Sequence, residues 1–227
     1  MLFNDDTLNI FTDASIIKYP EETIGCAGAH IVTGNDAISK VLEQPRIIIR
    51  NTTNNNSEIN AILLGVRSAL KYKGIFKTIN IISDSKICIF GLREWIFNWI
   101  KDSKNSNVLI SSQGTEVANQ SVILDIIYTI LGNDIQINLY HQNGHVHLTS
   151  EKSMNEAKET FRNSNHIQHD VDMELIRNIS IANDIVDKFT KVELQNFTRT
   201  EIFPTSQLVS YFYEPFDVEK YKKLIGI

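Results

Sequence analysis

The sequence predicts an α/β fold in which a five-stranded mixed sheet is flanked by helices, with a helical insertion before the last helix and a C-terminal extension. The first half alternates short β-branched segments with amphipathic helical segments. A polar stretch then interrupts this pattern ahead of one last amphipathic helix. The 227 residues, of which 42% are hydrophobic and 22% are charged, are enough to bury a full core. Disordered, collagen-like and disulfide-scaffold classes are therefore excluded.

The N-terminal part predicts an antiparallel meander, a helix and a fourth strand. The three strands of the meander are separated by Pro, Gly and Asn-Asp turn signals and cover Leu8 to Asp13, Gly25 to Thr33 and Arg46 to Asn51. From Ser57 to Leu70, apolar residues recur at the spacing of a helix that packs on a sheet. Lys77 to Ser83 then predicts the fourth strand.

Later segments complete the sheet and add helices. Two apolar-periodic segments, Ser85 to Trp99 and Val117 to Leu131, predict helices after the fourth strand. Ile135 to His141 alternates and predicts the fifth strand. The last amphipathic helix is expected from about Asn178 to Val192. The predicted order is therefore βββαβααβ, then the insertion, then a final helix.

The insertion covers about residues 149–177 and has an acidic middle. A capping-box pattern at Ser153 to Glu156 predicts that a helix starts there. We expect one domain over residues 1–192, including the insertion. Residues 193–227 form a C-terminal extension of unknown role, to which the sequence assigns no fold.

The cysteines and the hydropathy predict a cytoplasmic protein without membrane contact. Cys26 and Cys88 lie in apolar stretches without C-x-x-C spacing and are expected to be buried, reduced thiols. No apolar run approaches the ~18 residues of a membrane span. Residues 1–6 lack the basic start and apolar centre of a signal peptide.

Charge is unevenly distributed around a formal net charge of −5. Residues 59–104 contain eight basic and three acidic residues, whereas residues 151–187 contain four basic and eight acidic residues. This segregation is compatible with a local phosphate-binding strip despite the acidic total. The alternative is that both segments present solvated helix faces.

Four acidic residues lie where this topology would bring them together. They come from the ends of the first and fourth strands, the first turn of the first helix and the last helix: Asp13, Asp84, Glu58 and Asp187. Converging carboxylates repel one another unless a hard cation neutralises them, and oxygen ligands suit Mg²⁺ or Mn²⁺. Taken singly, each residue is more often a strand-end turn residue or a helix cap. The set as a whole predicts a metal site.

Three motifs around these acids resemble those of type 1 ribonuclease H. They are an aspartate after an apolar strand with serine two positions later, a T-T-N-N-x-x-E segment, and an apolar strand that ends in D-S: Ile10 to Ser15, Thr52 to Glu58 and Ile81 to Ser85. Similar W-I-x-x-W, G-H and N-E-x-x-D segments follow at Trp95 to Trp99, Gly144-His145 and Asn183 to Asp187. The resemblance covers roughly residues 8–191 and implies a ribonuclease H-like fold.

The resemblance also implies an activity. It is that of a metal-dependent endoribonuclease that cuts the RNA strand of RNA/DNA hybrids and leaves 5′-phosphate and 3′-hydroxyl ends. Two Mg²⁺ ions per active site are implied, with Mn²⁺ as a substitute. Asp13 would be the shared ligand, Glu58 and Asp84 would complete the two sites, and Asp187 would complete the site of the attacking water.

His145 is implied to assist proton transfer or product release near neutral pH. Because His141 and His147 lie close by in the sequence, a surface cluster or a loose metal-ligand spacing is the alternative.

Contacts to the hybrid are implied for polar and aromatic residues around the motifs: Ser15, Thr53, Asn54, Asn55, Ser85, Lys86, Trp95 and Asn183. Such contacts would recognise the 2′-hydroxyls of the RNA strand and the shape of the DNA strand. Alternatively, residues 54–56 form a turn and helix entry, and Trp95 and Trp99 are core residues.

Two other functions stay open. A DNA-directed nuclease or junction resolvase of the same fold would cleave all-DNA substrates. A non-catalytic hybrid-binding module would make the carboxylates incidental. In either case, the C-terminal extension is expected to offer a site for a protein partner.

Overall fold

The computed structural model describes residues 2–103, 108–200 and 210–211. Its strands are β1 (Thr7–Lys18), β2 (Thr23–Thr33), β3 (Val41–Glu43), β4 (Arg46–Arg50), β5 (Thr78–Ser83), β6 (Asn138–His141) and β7 (Ser210–Tyr211). Its α-helices are α1 (Asn54–Ala69), α2 (Lys86–Phe90), α3 (Ile96–Asp102), α4 (Gln120–Gly132), α5 (Glu151–Ser164) and α6 (Met173–Thr200). A 3₁₀ turn spans Leu70–Tyr72, and a π-helical turn spans Gly91–Trp95.

The strands form one mixed sheet in the order β6-β5-β1-β2-β4-β7, and β3 pairs with β2 beside this path. β5 runs parallel to both β1 and β6, whereas β1, β2 and β4 form the predicted antiparallel meander. The predicted mixed sheet flanked by helices is therefore confirmed. The short strands β3 and β7 were not predicted, because neither has enough residues for an alternating pattern.

Helices cover both faces of the sheet. Ile10 of β1 belongs to one core cluster with Ile62 of α1 and Ile126 of α4. Phe11, the next residue along β1, belongs to the opposite cluster with Phe161 of α5 and Phe189 of α6. Successive side chains of a strand point to opposite faces, so β1 is buried on both sides.

An asparagine ladder fixes the register of the three parallel strands. Asn80 of β5 donates to Asn9 of β1 at 2.9 Å, and Asn138 of β6 donates to Asn80 at 3.0 Å. All three residues are directly opposite one another in the sheet. A buried amide needs its partners, so a register slip would leave these groups unpaired.

Two helix starts, those of α5 and α6, and the interior of one helix differ from the predictions. α5 starts at Glu151 rather than at Ser153, because Ser150 caps the helix and accepts from the Ser153 N–H at 3.3 Å. α6 starts at Met173 rather than near Asn178. The predicted helix from Ser85 to Trp99 is continuous, but its middle is the π-helical turn.

The C-terminal extension begins inside a helix. The expected boundary at residue 192 falls within α6, and Leu194 is buried against Ile24, Cys26 and Ile48. Most of the remaining extension, and with it the predicted site for a protein partner, lies outside the described residues.

Both cysteines are buried and free, as expected. Burial raises the pKa of Cys26 to about 12 and that of Cys88 to about 11. Neither thiol is therefore poised for nucleophilic or redox chemistry. In the described part of the chain, no helix combines the length and the apolar character needed to cross a membrane.

Candidate active site

Two of the acidic residues lie side by side on neighbouring parallel strands: Asp13 is within β1 rather than at its end as predicted, and Asp84 directly follows β5. Thr12 of β1 lies opposite Ser83 of β5, and Asp13 and Asp84 follow these residues. The Ala14 N–H donates to Asp13 Oδ1 at 2.7 Å and so holds this carboxylate beside its own backbone. Because β5 ends at Ser83 while β1 continues, the chain leaves the sheet at Asp84 and a cleft opens there.

α1 brings Glu58 to the same place. Thr53 caps this helix, since its Oγ1 accepts from the Asn56 N–H at 3.2 Å. α1 packs closely on β2 because Gly25 of β2 has no side chain. A Cβ at this position would lie only 2.3 Å from Ser57 Oγ. Glu58 follows Ser57 in the first turns of the helix and is 6% exposed.

One carboxylate oxygen from each of Asp13, Glu58 and Asp84 lies within 4.8 Å of the other two. Burial, and then repulsion between the carboxylates, raises the pKa of Asp13 well above its usual range and that of Glu58 to about 10. Burial also raises the pKa of Asp84, although the hydrogen bond from Asn183 and the nearby His145 oppose this rise. The cluster is therefore costly to ionise unless a cation compensates.

The donor atoms fit a divalent cation. Glu58 Oε2 is buried and has no hydrogen-bond partner within the described part of the chain. Oxygens bound to one Mg²⁺ ion, each at about 2.1 Å, can lie up to about 4.2 Å apart, and the oxygens of this cluster lie within 4.8 Å of one another. An oxygen-only donor set suits Mg²⁺ or Mn²⁺ rather than softer metals.

Asp187 lines the same cleft from α6. The cleft has a volume of about 460 Å³ and is also lined by the three clustered carboxylates, His145 and Lys191. Asp187 Oδ2 accepts from Lys191 Nζ at 2.7 Å and is not part of the close cluster. Asp187 thus lies in the cleft with the other three carboxylates and is paired with the Lys191 ammonium group.

Gly28 allows α6 to lie close to Asp13. The two residues are directly opposite each other in the β1–β2 pair. A Cβ at Gly28 would lie 2.5 Å from Phe189 Cε2 and 2.7 Å from Thr190 Cγ2, both on α6. A larger residue at this position would therefore push away the helix that contains Asp187.

We expect Gly28→Val to lower the free energy of unfolding by about 1–3 kcal/mol, as overpacked cores do. It should also weaken Mn²⁺ binding, because Asp187 moves with the helix. Urea unfolding and calorimetric titration with Mn²⁺ measure the two effects. Gly132→Ala is the control, since a Cβ there would meet nothing within 4 Å. Wild-type stability and affinity in Gly28→Val would contradict this view of α6 packing.

His145 lies on the exposed rim of the cleft, in the loop after β6. Its φ of 52° is in the left-handed region, which a non-glycine residue rarely adopts. The preceding Gly144 lies against Asp84, where a Cβ would be 2.4 Å from Oδ2. The loop therefore runs directly over the carboxylate and holds the imidazole beside it.

The predicted substrate contacts occupy different positions. Asn54 and Ser85 line the carboxylate cleft, and Lys86 is exposed next to Ser85 with its ammonium 5.4 Å from the centre of the Phe90 ring. Asn55 and Trp95 line a second groove. These five residues all lie on accessible surface.

The other three predicted contacts are engaged within the protein. Ser15 also lines the carboxylate cleft but is buried, and its Oγ lies 3.0 Å from Thr190 Oγ1. Thr53 is exposed and caps α1. Asn183 is buried and donates to Asp84 Oδ2 at 3.5 Å. Of these three, Asn183 adjoins the carboxylates directly.

The second groove has a volume of about 550 Å³ and lies between α2–α3 and the segment 111–119. Trp95 is 39% exposed and packs edge-on against Trp99 with ring centroids 6.1 Å apart. Asn56 of α1 donates to Asn119 at 3.0 Å across the end of the groove. Trp95 is thus only partly a core residue and presents an aromatic surface to the groove.

Lys191 was not predicted as part of the site. Its only sequence signal is its position four residues after Asp187, which is the spacing of an ordinary helical ion pair. Lys188 has the same relation to Asp184, so spacing alone could not indicate which pair lines the cleft.

Comparison with known proteins identifies the family. A family model described as RNase H matches residues 5–192, so the chain belongs to the RNase H family. No match to a curated protein sequence was found.

Solved structures show the same fold. The foamy viral protease-reverse transcriptase in complex with an RNA/DNA hybrid aligns with a TM-score of 0.51 and 16% identity, over 71% of this chain and 20% of that chain. The solution structure of the PFV RNase H domain aligns with a TM-score of 0.51 and 20% identity, over 70% of this chain and 94% of that domain. The chain therefore matches one fifth of the viral protease-reverse transcriptase but nearly all of an isolated RNase H domain. At these identities, the likeness establishes the fold alone.

Proposed function

We propose that the protein is an endoribonuclease that hydrolyses the RNA strand of RNA/DNA hybrids and leaves 5′-phosphate and 3′-hydroxyl ends. Two divalent cations, Mg²⁺ or in its place Mn²⁺, would take part. The observation that supports this most directly is the buried cluster of Asp13, Glu58 and Asp84 in an open cleft. Membership of the RNase H family supports nuclease activity in general. The foamy viral enzyme of the same fold binds an RNA/DNA hybrid.

The carboxylates would hold the cations. Asp13 would be the shared ligand, with Glu58 and Asp84 on either side, and Asp187 would complete one site after its carboxylate leaves Lys191. Bound there, the cations would supply Lewis-acid chemistry for phosphodiester hydrolysis. His145, on the exposed rim, would take up or deliver a proton between the cleft and water.

The hybrid would lie across both grooves. The carboxylate cleft and the second groove meet at the start of α1, where Asn54 lines the first and Asn55 lines the second. We propose that the RNA strand crosses the carboxylates while the DNA strand lies in the second groove, against Trp95. Asparagine amides can donate to and accept from a 2′-hydroxyl, which suits recognition of RNA at the junction.

Cleavage of matched duplexes tests the proposal. A uniform RNA/DNA hybrid, an RNA/RNA duplex and a DNA/DNA duplex of one sequence would each be incubated with the protein and Mg²⁺. We expect cleavage of the RNA strand in the hybrid alone. Cleavage of the all-DNA duplex would indicate a DNA-directed nuclease or resolvase. Hybrid binding without cleavage in Mg²⁺ or Mn²⁺ would indicate a binding module. Either result would contradict the proposal.

A further inference from the structure

The outer edge of β6 is completed by a side chain of the insertion. β6 is the terminal strand on its side of the sheet, and no described strand lies beyond it. Asn165, which directly follows α5, occupies this edge. Its Oδ1 accepts from the His141 N–H at 2.9 Å, and its Nδ2 donates to the His141 carbonyl oxygen at 2.7 Å. One amide side chain thus makes both bonds that a neighbouring strand would make.

Asn165 is itself held by several contacts. Its Nδ2 donates to the Phe161 carbonyl of α5 at 2.8 Å. Arg93, from the π-helical turn, donates to Asn165 Oδ1 at 3.0 Å and to the Ser164 carbonyl at 2.5 Å. The same guanidinium donates to the Leu139 carbonyl of β6 at 3.4 Å. Two separate helical segments therefore fix the position of this one amide against the strand.

His141 lies beside the candidate metal ligands. It is paired with Ser83, the residue immediately before Asp84. The next residue, Gln142, donates its N–H to the Ser83 carbonyl at 3.1 Å. Two residues further on, Gly144 lies against the Asp84 carboxylate. A shift of β6 along β5 would therefore move the segment that contacts Asp84 and that carries His145.

We infer that Asn165 is a positioning residue for the active site, through which the insertion fixes the loop over Asp84. The inference rests on the proposed function, because it treats Asp84 as a metal ligand. It assigns to the insertion a role in the chemistry rather than in binding substrate. Mutation of residues that support metal ligands from outside usually lowers metal affinity or activity by roughly 10–100-fold.

Asn165→Ala, which removes both bonds to His141, tests this inference. We expect faster hydrogen exchange of the His141 amide and Mn²⁺ binding, measured by calorimetry without substrate, that is weaker by about tenfold. In hybrid cleavage, kcat should fall while KM for the hybrid stays within about twofold, and added metal should restore part of the rate. Asn163→Ala is the matched control, because Asn163 is an exposed asparagine in the last turn of α5, two residues before Asn165.

Asn165→Asp separates positioning from folding. The aspartate keeps an acceptor for the His141 N–H and for Arg93 but cannot donate to the His141 carbonyl. We expect its Mn²⁺ affinity to fall by only about threefold, compared with about tenfold for Asn165→Ala. If Asn165→Ala does not fold, wild-type affinity in Asn165→Asp overturns the inference.

Two results in a folded Asn165→Ala variant would also overturn it. One is Mn²⁺ affinity within twofold of wild type, whatever the exchange rate of the His141 amide. The other is a loss of stability in urea with kcat unchanged, which would give Asn165 a structural role only. Failure of the proposed function would look different, since wild-type protein would then neither bind Mn²⁺ at this cluster nor cleave the hybrid.

Discussion

Asp84→Asn is expected to lose more than tenfold in hybrid cleavage at saturating Mg²⁺, which corresponds to ~1.4 kcal/mol of barrier. The physical reason is that Asp84 contributes one of the three clustered oxygens, and an amide is a much weaker ligand for a hard cation. Activity within tenfold of wild type would contradict the assignment of Asp84 as a ligand. Asp125→Asn is the control, because Asp125 forms an exposed ion pair with Arg67 on the surface.

The same variant should be at least as stable as wild type in metal-free buffer. Burial raises the pKa of Asp84, so ionisation of this group costs more in the folded state than in the unfolded state. The resulting destabilisation is absent at acidic pH, appears as the pH rises above the usual aspartate range, and is complete above the folded-state pKa. Asp84→Asn removes it. Urea unfolding with EDTA at pH 7 measures the difference, and a clear loss of stability would contradict the expectation that burial makes the Asp84 carboxylate destabilising.

Asp187→Asn is expected to lose most activity with Mg²⁺ and to recover part of it with Mn²⁺. Asp187 lines the carboxylate cleft, and its side chain is only 13% exposed. Asp184, one turn earlier, has a 36% exposed side chain and pairs with Lys188. We therefore expect Asp184→Asn to keep most of the activity. The measurement is the rate of hybrid cleavage in each metal.

These two variants control for each other. Each removes a carboxylate from an i,i+4 ion pair of 2.7 Å on the same helix, so any general effect on α6 is shared. If Asp184→Asn lost cleavage activity while Asp187→Asn kept it, Asp184 rather than Asp187 would complete the metal site. It would also remove the proposed role of Asp187.

The order of elements along the chain could be predicted because it follows from local patterns, and the meeting of Asp13 with Asp84 could be predicted on the condition that their strands are neighbours. The apolar strand before Asp84 ends at Ser83, and parallel pairing with β1 brings Asp84 beside Asp13, although β1 continues past Asp13 to Lys18. Glu58 could be placed because its helix has a clear apolar stripe, whereas the Thr53 cap and the start of the helix at Asn54 were not predicted.

The supporting contacts could not be predicted, because they join residues far apart in the sequence. Asn165 and His141 are 24 residues apart, and Arg93 reaches Asn165 from 72 residues away. No periodicity marks such partners. The predicted start of α5 was wrong for a local reason, since two serines three residues apart both fit a helix cap: Ser150 accepts from the Ser153 N–H inside the helix, whereas Ser153 accepts from the His147 N–H that precedes it.

We expect the carboxylate cluster and its cations to direct water, rather than the RNA 2′-hydroxyl, at the phosphodiester bond. The most direct test is to determine the ends of the RNA fragments from a hybrid cleaved with Mg²⁺ and from the same reaction with EDTA. We predict 5′-phosphate and 3′-hydroxyl ends with Mg²⁺ and no cleavage with EDTA. Fragments with 2′,3′-cyclic phosphate ends, formed equally well in EDTA, would contradict the account.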